Sequence, residues 1–146
     1  MTRAFLGVAL LAVAAAAHGQ VEARSAWVRG TVRGQTTAGA YMELTSDRRA
    51  SLLGAESPAA GSAELHEMWM EGNVMRMRAV PRLDLPPGKT VELKPGGHHM
   101  MLVDLKRPLK KGDLVPIRLK VELSDKTIRT IQVLAEVREL AATSRP

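Results

Sequence analysis

The amino-acid sequence predicts a mainly β protein with Greek-key connections, built as a two-sheet sandwich or as a barrel. Short apolar runs are separated by Gly, Pro and charged turns, and the last two runs alternate between apolar and polar residues. No helical period is sustained over three turns beyond the first 19 residues. About nine short strands in one domain of this length are typical of these two architectures.

The first residues have the composition of a secretory signal peptide. Arg3 precedes the apolar run Ala4–Ala17, and small residues up to Gly19 offer a cleavage site. This run is too short to span about 30 Å of hydrocarbon alone, so a cleaved signal is favoured over a membrane anchor. We therefore predict a signal peptide over residues 1–19 and one exported domain over residues 20–146, with no membrane insertion after cleavage.

Turn residues and alternation define the strands of this domain. In the penultimate run, apolar residues from Val115 to Leu123 alternate with polar ones, which indicates one buried and one solvated face. The closing run alternates in the same way from Ile131 to Val137. The predicted strands are Ala26–Val32, Ala40–Thr45, Ser51–Ala55, Ala63–Met70, Val74–Arg78, Thr90–Leu93, Met100–Leu105, Val115–Glu122 and Thr127–Arg138.

Charge and cysteine content narrow the possible functions. The formal charge of +6 comes from 21 Lys and Arg against 15 Asp and Glu spread along the chain, which does not indicate a nucleic-acid binder. The absence of cysteine excludes disulfides, thiol nucleophiles, thiolate zinc sites and iron–sulfur clusters in these residues. One basic cluster is interpreted as a solvated loop, with a docking patch for an acidic partner as the alternative: Lys106, Arg107, Lys110 and Lys111.

Methionine is concentrated in one stretch that also contains histidine. Six of the eight methionines lie between Met68 and Met101. If Glu71-Gly72 forms a two-residue hairpin loop, His66 lies opposite Met77 and Met68 lies opposite Met75. A loop one residue longer would move His66 to the other face relative to these methionines.

A second imidazole–thioether pair follows in His98-His99-Met100-Met101. On a strand, His99 and Met101 point the same way while Met100 and Leu102 point into the core. Two such pairs facing one another form a set of two nitrogens and two uncharged sulfurs, which suits Cu(I) and gives hard cations little reason to bind.

Each of these residues also has a purely structural interpretation. A methionine on a strand is most often core filler, and a histidine is most often a surface residue. Met42 is predicted to lie in the core. Met70 and Met75 are predicted to lie either in the core or around the metal. Trp69 is predicted to point to the face opposite His66 and to pack there. Met68 shares the parity of His66 and is the best substitute ligand.

The spacing and its flanking residues resemble the periplasmic PCuAC-type copper chaperones. Their pattern of His, ten residues, Met, twenty-one residues, His, one residue and Met is met by His66, Met77, His99 and Met101. Flanking segments are also similar to the family, namely Ala26-Trp27-Val28-Arg29, Gly39-Ala40-Tyr41-Met42, Leu65-His66-Glu67-Met68, Val74-Met75-Arg76-Met77 and Pro95-Gly96-Gly97 before the second histidine pair.

The resemblance implies a cupredoxin-like, immunoglobulin-like Greek-key β-sandwich that is a monomeric carrier and not an enzyme. It would bind one Cu(I) through the four residues of the motif. It would pass the ion to a copper-accepting protein, such as a cytochrome oxidase subunit during copper-centre assembly or another copper chaperone. The chain ends Ala141-Ala142-Thr143-Ser144-Arg145-Pro146, so a second copper site on a His- and Met-rich tail is not expected. The role of His98, as neighbour or auxiliary ligand, stays open.

Three other functions are compatible with the same residues. The first is copper scavenging or tolerance. The second is a copper-dependent redox enzyme, although Glu67, the acid beside the candidate ligands, has the wrong strand parity. The third is a β-sandwich interaction module whose methionines are simply packing residues.

Overall fold

The computed structural model describes residues 21–139, and these form strands and turns without a helix. The signal peptide predicted for residues 1–19 and the last residues of the chain lie outside this range. No helix in the described part of the chain is long and apolar enough to cross a membrane. The strands are β1 Val21–Arg29, β2 Ala38–Ser46, β3 Ala50–Glu56, β4 Ala60–Glu71, β5 Val74–Ala79, β6 Leu83–Leu85, β7 Val91–Leu93, β8 His99–Leu105, β9 Leu114–Leu123 and β10 Ile128–Arg138.

Hydrogen-bonded strands follow one another in the order β5-β4-β8-β2-β1-β10-β9-β3-β6, with β7 beside β2. A further pairing of β3 with β4, at Ala55 and Ala63, joins the second strand from each end of this path, so that the strands from β4 to β3 close into a barrel with β5 and β6 attached to it. Strands distant in sequence lie side by side, including the parallel pair β1 and β10. The prediction of a mainly β Greek-key sandwich or barrel is confirmed.

The core consists of the inward positions of these strands, as the alternation predicts. In β9, Val115, Ile117, Leu119 and Val121 are completely buried, and the residues between them are exposed. Met42 is buried on β2, which confirms its predicted place in the core. Burying such side chains contributes about 1.5–3 kcal/mol each, an upper estimate because the unfolded chain is itself partly compact.

Eight of the nine predicted strands have their observed counterparts within three residues at each end. The exception is β1, which begins at Val21 rather than Ala26 and ends at Arg29. A bulge between Arg24 and Trp27, with Ser25 at φ 53°, interrupts its alternation. The prediction also missed β6, because three residues are too few to show a period.

Gly39 provides space for an aromatic ring on the outer surface of the barrel. Tyr41 lies over it, so that a Cβ added at Gly39 would lie 2.8 Å from the Tyr41 Cζ and closer still to the hydroxyl. Tyr41 is itself buried, and its ring centroid lies 4.6 Å from that of Trp27. Because the Tyr41 ring is rigid, buried and in contact with Trp27, it has little freedom to move away.

Gly39→Ala should therefore destabilise the fold by about 1–3 kcal/mol, the usual range for overpacking. Urea denaturation followed by circular dichroism measures this difference. Gly30→Ala is the matched control, since a Cβ there would approach no atom closer than 3.4 Å. Equal stability of the two variants would show that Tyr41 moves aside at little cost.

Candidate metal centre

The two histidines of the motif face each other across adjacent strands. In the antiparallel pair β4 and β8, His66 lies directly opposite His99, and Glu64 lies opposite Met101. The ring centroids of the two histidines are 5.7 Å apart in an edge-to-face arrangement. The alternate residues of both strands, including Leu65 and Met100, point into the core and are buried. The prediction that Met100 and Leu102 face inward is confirmed, and the histidines lie on the outer face of the barrel.

The hairpin of β4 and β5 brings methionines to this same face, but not in the predicted register. Its loop is Gly72-Asn73, not Glu71-Gly72, because Gly72 adopts the left-handed conformation with φ 62° that a two-residue turn needs at its first central position. The pairing of His66 with Met77 and of Met68 with Met75 is therefore wrong. Observed pairs are His66 with Ala79, Met68 with Met77 and Met70 with Met75.

The error of two residues leaves the faces unchanged, since side chains alternate with a period of two. Met77 remains on the face of His66. It lies two residues from Ala79, the direct partner of His66, and is therefore a diagonal neighbour of His66 across the hairpin. Met68, the predicted substitute ligand, is two residues after His66 on β4 and lies directly opposite Met77 on β5. Met101 is on the same face beside Glu64. One sheet face thus contains all four residues of the motif.

Hydrogen bonding determines which nitrogen of His99 is free. Its Nδ1 lies 3.1 Å from the backbone carbonyl oxygen of Gly97. A carbonyl oxygen can only accept, so Nδ1 carries the hydrogen and the lone pair of the neutral ring is on Nε2. That Nε2 is buried and has no hydrogen-bond partner among the described residues. Because an unpaired buried nitrogen is costly, it is a candidate for a ligand interaction.

The His66 imidazole also has one nitrogen engaged and one free, but its hydrogen-bond partner is a carboxylate and not a backbone carbonyl. His66 Nε2 lies 2.8 Å from Oε2 of Glu64, two residues earlier on the same strand. An ionised carboxylate only accepts, so Nε2 donates and the lone pair is on Nδ1, which is also buried without a partner in residues 21–139. Metal-ligating histidines usually donate their other N–H to a carboxylate or a backbone carbonyl in this way.

The surroundings of His99 favour its uncharged form. Burial lowers the pKa of His99, the hydrogen bond to Gly97 partly opposes this, and nearby His66 and His98 lower it further. Only the neutral ring offers a lone pair to a metal. Around His99, the form that can donate a lone pair is therefore favoured more than in a freely exposed histidine.

An aromatic wall covers His99 on the side away from the hairpin. The Tyr41 ring centroid lies 6.3 Å from that of His99, and Trp27 stacks on the far side of Tyr41. The guanidinium of Arg29 lies 5.8 Å from the Tyr41 ring centroid. These side chains leave His99 only 2% exposed although it lies on the outer face.

The opposite face of the hairpin contains the charged residues. Arg78 forms an ion pair with Glu67, and its guanidinium carbon lies 5.3 Å from the ring centroid of Trp69. Trp69 has the predicted parity, but it packs against this arginine and is 40% exposed. His98 Nε2 lies 3.5 Å from Oε2 of Glu67, so His98 belongs to this other face.

Glu64 and Tyr41 are the site residues that sequence reasoning missed. Glu64 is two positions before His66, which places both on one face of a strand, and that spacing could have identified it. Tyr41 becomes a neighbour only through the pairing of β2 with β8, which no local pattern reveals. Within the described range, no group of three or more His, Asp or Glu side chains is placed to hold a metal ion.

These features define a class of protein: a single β-barrel domain with an imidazole and thioether face on its outer surface. The chain belongs to the family described as "Putative lipoprotein LpqE-like", whose pattern matches residues 21–133. A curated relative, "Putative lipoprotein Lxx21020" of Leifsonia xyli subsp. xyli (strain CTCB07), is 36% identical over 101 residues, or 68% of this chain. The matched part is 61% of the length of that relative.

Solved structures similar to this one include PCuAC domains. The apo PCuAC domain from PmoF1 has a TM-score of 0.68 over 84% of this chain and 96% of its own, at 22% identity, which is a likeness of fold. The solution structure of CuI-DR1885 from Deinococcus radiodurans has a TM-score of 0.59 and 38% identity, covering 78% of this chain and 75% of its own. The expected resemblance to PCuAC-type proteins is confirmed.

The lowered pKa of His99 predicts how the stability of the metal-free protein depends on pH. The unfolded chain, with a histidine pKa near 6.5, binds this proton more readily than the folded chain. The stabilising contribution is therefore complete above about pH 6.5 and is lost as the pH falls through the lower folded pKa.

Denaturation of metal-free protein at pH 7.5 and pH 5.5 should show a smaller free energy of unfolding at the lower pH. His99→Gln should reduce this difference, because it removes the titrating ring. A pH dependence that is unchanged in the variant would mean that other groups cause it.

Proposed function

We propose that this protein binds one Cu(I) ion through His66, Met77, His99 and Met101 and delivers it to other copper proteins. The observation that carries the proposal is the pair of imidazoles whose N–H groups are already engaged, by Glu64 and by the Gly97 carbonyl. Their remaining nitrogens are buried and unpartnered on a sheet face that also contains the two methionines.

The chemistry of the ligands favours monovalent copper. Thioether sulfur is soft and uncharged, and together with neutral imidazole it suits Cu(I) better than Mg²⁺, Ca²⁺ or Zn²⁺. Methionine and histidine also avoid the cross-linking to which cysteines are exposed in an oxidising compartment. The likeness to the Cu(I) form of DR1885, at 38% identity, supports the same ion.

The position of the site favours transfer over storage or catalysis. It lies on the outer face of the barrel, and Met77 on its hairpin side is 44% exposed, so an acceptor can replace ligands one at a time. Glu67 lies on the other face, and Glu64, the carboxylate on the face of the site, is already engaged by His66 Nε2, so the proposed ligands have no free acid or base of this strand beside them.

The wider role follows from the carrier function. We propose a monomeric protein of the periplasm, exported by a signal peptide in residues 1–19. Its cargo would go to a copper-accepting protein such as a cytochrome oxidase subunit during assembly of the oxidase copper centre, or to another copper chaperone.

Loss of a proposed ligand should abolish tight binding of copper while the fold is retained. His99→Ala and Met77→Ala should each lower the Cu(I) affinity by about 100-fold or more, since even indirect ligand contacts are worth 10–100-fold. Titration of the purified protein with Cu(I) against a chromophoric chelator measures this, and circular dichroism checks the fold.

His98→Ala is the matched control, because it removes the adjacent imidazole from the other face of the sheet. X-ray absorption of the copper complex should show a shell of nitrogen and sulfur. Parent-like affinity in His99→Ala and Met77→Ala, or a shell without sulfur, would exclude the proposed ligand set.

Glu64 should strengthen copper binding indirectly through His66. Its carboxylate fixes the tautomer of the ring and makes the other nitrogen more basic. Because this carboxylate is half exposed, Glu64→Ala should lower the Cu(I) affinity by about tenfold, the low end of the range for such contacts.

Glu67→Ala is the corresponding control, since it removes a carboxylate of the same strand from the other face. The chelator titration compares the two variants with the parent. If Glu64→Ala binds as tightly as Glu67→Ala, the hydrogen bond to His66 has no role in binding.

A further inference from the structure

Four methionines form two cross-strand pairs on the projecting hairpin. Met68 is paired with Met77, and Met70 is paired with Met75 nearer the tip. Side chains paired in this way have Cβ atoms about 4.5–5.5 Å apart, within reach of the flexible methionine side chain. All four lie on the face of His66, so the pairs lead from the Gly72-Asn73 turn toward the two imidazoles.

Exposure increases stepwise along this row. His99 is 2% exposed, Met77 is 44% exposed, and both Met70 and Met75 are 58% exposed. Met70 and Met75, at the tip, therefore do not lie in the core, and that alternative of their prediction is wrong. The row leads from the imidazoles, of which His99 is buried and His66 is half-buried, to two exposed thioethers at the tip.

The two faces of the hairpin are chemically separate. On the other face, Arg78 is paired with Glu67 and Arg76 with Glu71. From Met68 around the turn to Met77, every charged residue of the hairpin points to the other face. No charged side chain therefore lies among the four methionines on their own face. A positive ion on the methionine face therefore meets uncharged sulfur without a competing ammonium or guanidinium group in the row.

Packing and strand propensity do not account for these methionines. A large apolar side chain left in water forgoes about 1.5–3 kcal/mol of burial. Methionine is also not among the residues that favour strands, whereas valine, isoleucine and threonine would form this hairpin at least as well. The property that distinguishes methionine here is the soft sulfur atom.

We propose that Met70 and Met75 form a second, transient Cu(I) site through which the ion enters and leaves. This inference rests on the proposed copper-carrier function. The ion is first held by the Met70 and Met75 sulfurs. As bonds to Met68 and Met77 form, the bonds to the tip sulfurs break, and the ion then reaches the imidazoles. Copper remains Cu(I) throughout, and no proton or electron is transferred.

Two thioethers alone hold copper weakly, and this weakness suits an entry site. Exchange at the tip can be fast, while the deeper set of nitrogen and sulfur ligands determines the equilibrium affinity. Each step is intramolecular, so the next ligands are present at a high effective concentration. The tip pair should therefore change the rates of uptake and release without changing the affinity.

The test measures both quantities in the double variant Met70→Leu/Met75→Leu, which preserves size and apolarity but removes sulfur. Stopped-flow mixing of the metal-free protein with a Cu(I)–bicinchoninate complex, without oxygen, gives the uptake rate, and the reverse experiment gives release. Both rates should fall by at least about tenfold, while the affinity stays within twofold of the parent. Val74→Leu, an exposed residue on the other face of the hairpin, is the control.

Each outcome has a distinct meaning. Unchanged rates in the double variant overturn the entry site and would leave docking of a protein partner as the use of these methionines. A lower affinity with an unchanged uptake rate would also overturn it, by placing Met70 or Met75 among the tight ligands. If the parent itself binds no Cu(I) tightly, the proposed carrier function fails.

A second measurement detects the tip site directly. In the variant His66→Ala/His99→Ala, Ag(I), which mimics Cu(I) without redox chemistry, should still shift the methyl NMR signals of Met70 and Met75, with weak affinity. The signals that disappear in Met70→Leu/Met75→Leu are those of the Met70 and Met75 methyl groups, which assigns the shifted signals to the tip. Absence of any shift in the histidine variant would refute a separate thioether site.

Discussion

The candidate site depends on one contact, the antiparallel pairing of His66 on β4 with His99 on β8. This register places the two imidazoles side by side, 5.7 Å apart, and at the same time directs Leu65 and Met100 into the core. A slip of one residue would bury the imidazoles and expose the core residues. The hydrophobic core therefore holds the two histidines in position.

Two local hydrogen bonds determine which nitrogen of each imidazole remains free. Both come from groups two residues away, the Gly97 carbonyl for His99 and the Glu64 carboxylate for His66. Each ring is oriented by its own strand or by the loop leading into it, so the two free nitrogens are already organised for the proposed metal. Such preorganisation lowers the entropic cost of binding.

The sequence predicted the faces of the strands better than their partners. Alternation identified the buried side of β9 and the shared face of His99 and Met101, since a period of two is a local property. The hairpin register failed because Glu71-Gly72 and Gly72-Asn73 are both acceptable turns, and the choice depends on which pairs form across β4 and β5. The wall of Trp27 and Tyr41 could not be predicted, because it depends on strands β1, β2 and β8 lying side by side.

An outer-face position resolves a conflict between holding and releasing a soft ion. A site inside the barrel would exclude competing ligands, but it would require the fold to open for transfer. Here the aromatic wall and the strand pairing bury His99 on one side, while the methionine hairpin leaves the other side open to solvent. The same sheet face therefore contains one end with imidazoles, where His99 is buried, and an exposed end with thioethers. In the proposed carrier, the difference in ligand number and exposure between these ends would give the ion a direction of travel without any movement of the barrel.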